Sequence, residues 1–316
     1  MRNMPFVTVM AREAPVLVVV TWEKTVSASQ TTTQKAIADE VNPGQWKVLK
    51  PRKGLQMIDF ARLWQFRELL GMLALRDVKV RYKQTALGAA WAIIQPVTMM
   101  VVMSLFFGRF AKMNEQVGSV PYPIFLYAAL LPWTFFASSV TASTNSMVVN
   151  SRMLTKIFFP RLIVPFAATG TPLVDYAMAF IVLLALMVWY SVSLSWQLLL
   201  LPALVGLTII SAMGVGLILA AVTVRFRDFR YLVPFMIQVW FFITPVIYPN
   251  KMVPENWQWL IQLNPMCGII EAFRASVLGT AINWSSLGMS TVVALVGMAI
   301  GLLYFNQAQR KFADVI

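Results

Sequence analysis

The chain has no histidine and one cysteine, Cys267, among its 316 residues. The first absence removes histidine general bases, histidine metal ligands and Ser-His triads together. The second removes any intrachain disulfide and leaves no basis for reading a redox compartment. Charge is scarce too, at 12% of residues, where soluble domains carry about 25%. No G-x-x-x-x-G-K-[ST] phosphate loop occurs, which excludes nucleotide hydrolysis by that route. Acidic residues are the scarcer sign, 13 against 26 basic, giving a net charge of +13. No basic, aromatic-rich soluble module accompanies that excess, so it reads as the one-sided lysine and arginine of a membrane protein and not as a nucleic-acid footprint. No metal site and no cofactor bound by this chain are expected.

What remains is apolar: 59% of residues, with a mean hydropathy of +0.69. A soluble core cannot absorb that much apolar surface, whereas a bilayer can. Six runs are long enough to cross at roughly twenty residues each: about 86–110, 123–148, 162–190, 198–223, 232–248 and 285–305. The fold class expected is an all-α membrane protein with six transmembrane helices in a domain spanning 86–305.

Residues 1–57 read as a partly disordered cytoplasmic extension, Ser/Thr/Gln-rich from Ser27 to Gln34 and basic at Lys47, Lys50, Arg52 and Lys53. Its apolar stretch at 15–20 is too short for a cleaved signal peptide and is followed by Trp22-Glu23-Lys24. Residues 58–85 read as an interfacial amphipathic helix and a charged collar. Phe60, Leu63, Trp64, Leu70, Ala74 and Val78 recur at helical spacing, with Arg62, Gln65, Glu68 and Arg76 opposite. Residues 249–284 are too apolar for a free loop and too interrupted, by Pro249, Pro254 and Pro265, for a span. Two short re-entrant helices on the outer side fit this pattern. Residues 306–316 form a tail.

Orientation follows from basic residues. They crowd the segment before the first run, the loop with Arg152, Lys156 and Arg161, the loop with Arg225, Arg227 and Arg230, and the tail with Arg310 and Lys311. The alternate side holds Arg109, Lys112, Lys251 and Arg274. That asymmetry places both termini in the cytoplasm.

Several patterns bear on function. The loop of Arg225, Arg227, Asp228 and Arg230 either sets topology alone or also docks a soluble partner. In Asn150 to Arg161, an Asn or Ser cap and Pro160 bracket a short helix over 151–159. Met153, Leu154, Ile157 and Phe158 share a face, flanked by Arg152 and Lys156; the helix either plugs into a groove on a partner or lies on lipid. Asp175, in the third run, needs a partner or water. Aromatics crowd the first, second and fifth runs, among them Trp91, Phe106, Phe107, Trp240, Phe241 and Tyr248; a subset lines a path, or all face lipid and packing partners. Gly297-x-x-x-Gly301 permits close helix contact. Glu271 and Arg274, three apart, are placed to satisfy each other.

The order of Gly88-Ala89-Ala90-Trp91 to Gln95-Pro96, Asn150-Ser151-Arg152 to Phe159-Pro160-Arg161, Arg225-Phe226-Arg227-Asp228-Phe229, Thr244-Pro245-Val246-Ile247-Tyr248-Pro249, Leu263-Asn264-Pro265 and Glu271-Ala272-Phe273-Arg274 resembles the permease subunits of ATP-binding-cassette exporters of polysaccharides such as O-antigen, capsule and teichoic acid. The resemblance covers about residues 58–310 and lies in order and spacing. It implies a homodimer in the bacterial inner membrane. It also implies a separate ATPase subunit that carries ATP and Mg and receives 151–159 as a coupling helix. A lipid-linked polysaccharide would pass between the two copies along aromatics of the first and fifth spans. Two other readings stand beside it: a drug or lipid exporter of the same superfamily, and a membrane-embedded glycosyl- or acyltransferase, for which the paired carboxylates or histidines are lacking.

Overall fold

The computed structural model describes residues 7–11, 14–18, 64–83, 88, 90–110, 112–117, 120–156, 159–309 and 312. The readings placed on residues 19–57, on Phe60, Arg62 and Leu63, and on Ile157 and Phe158 lie outside them. The chain divides into two units, Met1–Gly54 and Leu55–Ile316. In the first, β1 (Val7–Ala11) pairs antiparallel with β2 (Ala14–Val18), Val7 opposite Val18 and Ala11 opposite Ala14. The valines of this hairpin favour extended backbone, a local signal the compositional reading of 1–57 passes over.

The second unit is helical throughout its described elements. In chain order these are α1 (Arg67–Lys83), α2 (Ala90–Met103), α3 (Met113–Val117), α4 (Tyr122–Val149), α5 (Ser151–Leu154), α6 (Ile163–Ala168), α7 (Gly170–Trp189), α8 (Leu201–Arg225), α9 (Phe229–Ile243), α10 (Glu255–Gln262), α11 (Pro265–Leu278) and α12 (Trp284–Ala308). α2 runs on into a π-helical segment, Ser104–Phe110, and a 3-10 turn, Trp196–Leu200, leads into α8.

Five helical stretches among the described residues are long and apolar enough to cross a membrane: Ala90–Phe110, Tyr122–Val149, Ile163–Trp189, Trp196–Arg225 and Trp284–Ala308. They fall on five of the six expected runs. The run expected at 232–248 gives instead the shorter α9, of 15 residues. At about 1.5 Å per residue that is roughly 22 Å, less than the roughly 30 Å of hydrocarbon. Pro245 explains the stop. It has no N–H to donate, and it pushes Thr244 into an extended conformation with φ −80° and ψ 138°.

α4 is the hub. It packs along α8, α7 and α11, with Tyr127 and Phe136 fully buried. α8 in turn lies against α12, and the expected small-residue contact is made within the chain. A Cβ on Gly301 would strike the backbone of Gly214, and a Cβ on Gly214 would lie 2.8 Å from the Gly297 carbonyl carbon. The segment at 249–284 does form two short helices, of unlike character. α11 is buried along almost its whole length, whereas α10 leaves Trp257 and Trp259 exposed. Asn264 holds α11 in place: its Oδ1 accepts from the Met266 N–H, and its Nδ2 donates to Thr244 Oγ1 at 2.7 Å.

α1 lies against α6 and α7 with Leu73 buried, but Met72, Leu75 and Val80 are exposed. Its apolar side chains therefore lie on both sides of the helix, a departure from the one-sided pattern read from the sequence.

Candidate functional site

A groove runs along one face of α4. Thr134, Ser138, Thr141 and Asn145 are spaced four, three and four apart, which stacks them on one side of a helix. Two cavities open beside this stripe. One, of about 690 Å³, lies between α2, α4 and α9 and is walled by Trp91, Trp133, Phe241 and Phe242 with Gln95 and Gln238. The other, of about 630 Å³, lies between α1, α4 and the start of α7, with Asp77 and Arg81 on its wall. They share Pro234 and Ile237 of α9, so they are adjoining parts of one groove.

Where the groove meets α1, the partly buried carboxylate of Asp175 on α7 finds its partners. Arg81 Nη2 lies 2.8 Å from Asp175 Oδ2, and the Tyr82 hydroxyl donates to Asp175 Oδ1. Burial pushes the Tyr82 phenol up to about 12, and its hydrogen bond to the Asp175 carboxylate adds to that. A second tie joins α1 to the end of α4. Arg76 Nη2 donates to Asn150 Oδ1 at 2.8 Å while also pairing with Asp77 Oδ1 at 2.7 Å. The sequence asks Asp175 for a partner but does not say which, because 93 residues separate it from Tyr82.

At the far end of α9 the turn Thr244–Tyr248 is closed by Arg274 of α11. Its guanidinium donates to the carbonyls of Pro245 at 2.9 Å, Val246, Phe125 at 3.2 Å and Tyr248 at 3.5 Å, and sits 3.8 Å from the Phe125 ring centroid. Glu271 and Arg274 are close enough for their charges to act on each other but make no direct ion pair; Glu271 Oε2 accepts from Asn250 Nδ2 at 3.4 Å. On α11 the arginine turns inward to the turn carbonyls of Pro245, Val246 and Tyr248, which lie outside any helix, and that demand outweighs the neighbouring charge.

The other expected residues are placed as follows. α5 is one turn, so the helix expected over 151–159 is shorter in its described part, ending in a turn at Thr155–Lys156. Leu154 is buried in a core with Phe159 and Leu162, and Met153 packs against that core. Two of the apolar side chains expected to face a partner, Met153 and Leu154, are thus used internally, and Arg152, Thr155 and Lys156 are what α5 and its described turn expose. Arg161 is also committed, donating to the Gln309 carbonyl at 2.5 Å. Arg225 at the end of α8, Arg227 and Asp228 in the turn that follows, and Arg230 in the first turn of α9 are all exposed, with the Arg225 guanidinium 5.2 Å from the Phe226 ring.

Of the six aromatics, Trp91 and Phe241 meet in the α2–α4–α9 cavity. Trp240 turns the other way and packs edge-on against Phe136 at 5.2 Å. Phe107 packs on the core, Phe106 lies exposed beside Phe110, and the Tyr248 hydroxyl donates to the Ile243 carbonyl at 3.0 Å. Sequence reasoning missed the hydroxyl and amide stripe of α4, although its spacing was there to read.

The family model described as ABC-2 type transporter matches residues 68–278. Among curated proteins, an O-antigen export system permease protein RfbA from Myxococcus xanthus is 31% identical over 262 residues, covering 80% of this chain and 97% of its own length. A protein of the same name from Klebsiella pneumoniae is 28% identical over 79% of this chain and 95% of its own. The polysialic acid transport protein KpsM of Escherichia coli is 25% identical over 72% of this chain and 90% of its own. With the family match spanning more than half of its length, the chain belongs to the ABC-2 type transporter family.

Proposed function

We propose that this chain is the membrane-spanning subunit of an ATP-driven exporter that moves a lipid-linked polysaccharide from the cytoplasm across the bacterial inner membrane. The observation that carries this reading is the α2–α4–α9 cavity. Among its described wall residues are two tryptophans, two phenylalanines, amides and hydroxyls, and no charge. Sugar rings offer apolar faces that stack on aromatics and hydroxyl edges that take amide and hydroxyl partners. A flat aromatic wall lets such a polymer slide without one fixed hydrogen-bonding pattern. The names of the relatives, O-antigen export permease and polysialic acid transport protein, support the same cargo class.

In this reading the groove is half of a channel, and a second copy of the chain completes it. α9 and the turn at Thr244–Tyr248 together make a sixth crossing, and both termini lie in the cytoplasm, as the basic loops indicate. ATP and Mg belong to a separate ATPase. It docks on the surface formed by Arg152, Thr155 and Lys156, with Ile157 and Phe158 next in sequence, and on the exposed Arg225–Arg230 turn.

Two measurements test this. Cells that make the polymer but lack this chain should accumulate it inside, and wild-type chain should restore it to the surface. Arg152→Glu with Lys156→Glu should leave the chain in the membrane yet lose co-purification of the ATPase. Polymer at the surface without the chain, or wild-type chain that recovers no ATPase, would overturn the reading.

A further inference from the structure

We propose that the cavity between α1, α4 and α7 is a binding site for uncharged sugar residues, held by Ser138, Thr141 and Asn145 of α4. The inference rests on the glycan reading above and adds a second, chemically different station on the same path.

The hydrogen-bonding chemistry of the wall comes first. Asn145 Nδ2 donates to the Thr141 carbonyl at 3.0 Å, and its Oδ1 has no partner and is closed off from solvent. A rotation of the amide that releases the Thr141 carbonyl would bring this unpaired group to the cavity, where a ligand can satisfy it. Thr141 Oγ1 spends its proton on the Ala137 carbonyl at 2.8 Å, which leaves its lone pairs to accept. Ser138 is exposed to the cavity and has no hydrogen bond among the described residues. Two acceptors and one hydroxyl on one face of a helix match the hydroxyls of a pyranoside, each of which donates as well as accepts.

Charge decides between a sugar and an anionic headgroup. Asp77 and Arg81 are the charged side chains among the described wall residues, one of each sign. Asp77 is paired with Arg76, and Arg81 with Asp175. A diphosphate entering here would meet a wall whose charges cancel, and would have to compete with the Asp175 carboxylate for Arg81. A neutral polyol loses nothing by that arrangement. The volume of about 630 Å³ falls within the roughly 300–1,000 Å³ of ligand pockets. Because Pro234 and Ile237 belong to both cavities, one glycan chain can be gripped through its hydroxyls beside α1 and stacked on aromatics beside α2.

The single thiol makes the test direct. Cys267 is buried and is the chain's one cysteine, so Ala142→Cys and Val149→Cys on the wall of this cavity, which hold no ligand group, and Trp91→Cys in the other can each be made in a Cys267→Ala background. The purified full chain in lipid nanodiscs is treated with a small methanethiosulfonate, alone or with millimolar maltoheptaose or inorganic pyrophosphate. Maltoheptaose should slow labelling at Ala142→Cys and Val149→Cys by about tenfold, as for a ligand near ten times its dissociation constant, and pyrophosphate should not. Protection by pyrophosphate instead would overturn the proposal in favour of an anionic headgroup site. Protection at Trp91→Cys alone would overturn it while leaving the exporter reading intact. Protection at none of the three would count against both. Ser138→Ala breaks no internal bond and should slow export several-fold in cells, with Ser138→Thr restoring it; unchanged export in Ser138→Ala would equally overturn the site.

Discussion

Two arginines fasten this helical unit by opposite means. Arg274 is 7% exposed and has no carboxylate on it; it spends its donors on four backbone carbonyls and one aromatic face. The Arg81 side chain is 50% exposed and meets Asp175 across two helices. The first arrangement satisfies groups that water cannot reach, and it fixes the return of the chain after α9. The second joins two elements near solvent, where screening and side-chain entropy erode the gain. A buried cation on carbonyls is therefore part of the fold, whereas a half-exposed ion pair is a fastening that can be released while the fold persists.

Breaking the first should have the largest effect. Arg274→Met leaves the carbonyls of Pro245, Val246 and Tyr248 short of a donor and should destabilise the purified chain by roughly 3 kcal/mol or more, read as a lowered thermal midpoint in detergent. Arg274→Lys should recover part of it, because an ammonium cannot span the same carbonyls as a planar fork. A midpoint unchanged in Arg274→Met would show that the clamp is not structural.

Asp175→Ala and Arg81→Ala test the second fastening. A double-mutant cycle should give a coupling of about 1 kcal/mol that shrinks with added salt. Limited trypsin digestion should cut sooner around Lys79 and Lys83 in either variant. A coupling insensitive to salt would contradict the reading of this pair as a half-exposed fastening.

Tyr82→Phe should have the smallest effect, about 1 kcal/mol or less for one hydrogen bond. Its pH dependence has a definite sign. The folded phenol titrates above its ordinary value of 10.0, at about 12. The contact is thus present below about pH 10 and lost as pH rises through 12. A tyrosinate difference absorbance between wild type and Tyr82→Phe that titrates near 10 would contradict it.

Sequence and structure agree where length and hydropathy suffice. Tyr122–Val149 falls on the run expected at 123–148, and Trp284–Ala308 on 285–305. They part where a local signal was overridden or where the partner is remote. Pro245 ends α9 early, although the apolar run continues to Tyr248. Leu154 belongs to an internal core because Phe159 and Leu162 close over it. Arg274 prefers carbonyls brought in from Phe125, 149 positions away, over a glutamate one turn off. The α4 stripe was the legible part that went unread: conspicuous aromatics marked one cavity, while ordinary Ser, Thr and Asn residues at helical spacing marked the other.

Passage of the polysaccharide along the α2–α4–α9 groove is what the proposed function requires. It is tested most directly by placing a photoreactive phenylalanine analogue at Trp91, which lines that groove. The same analogue at Trp189, 81% exposed and not among the residues that line the groove, serves as the control. In cells making the polymer, illumination should shift the Trp91 variant into high-mass, glycan-reactive adducts and leave the Trp189 variant unshifted. Adducts at Trp189 equal to those at Trp91, or none at Trp91 while export proceeds, would contradict the account.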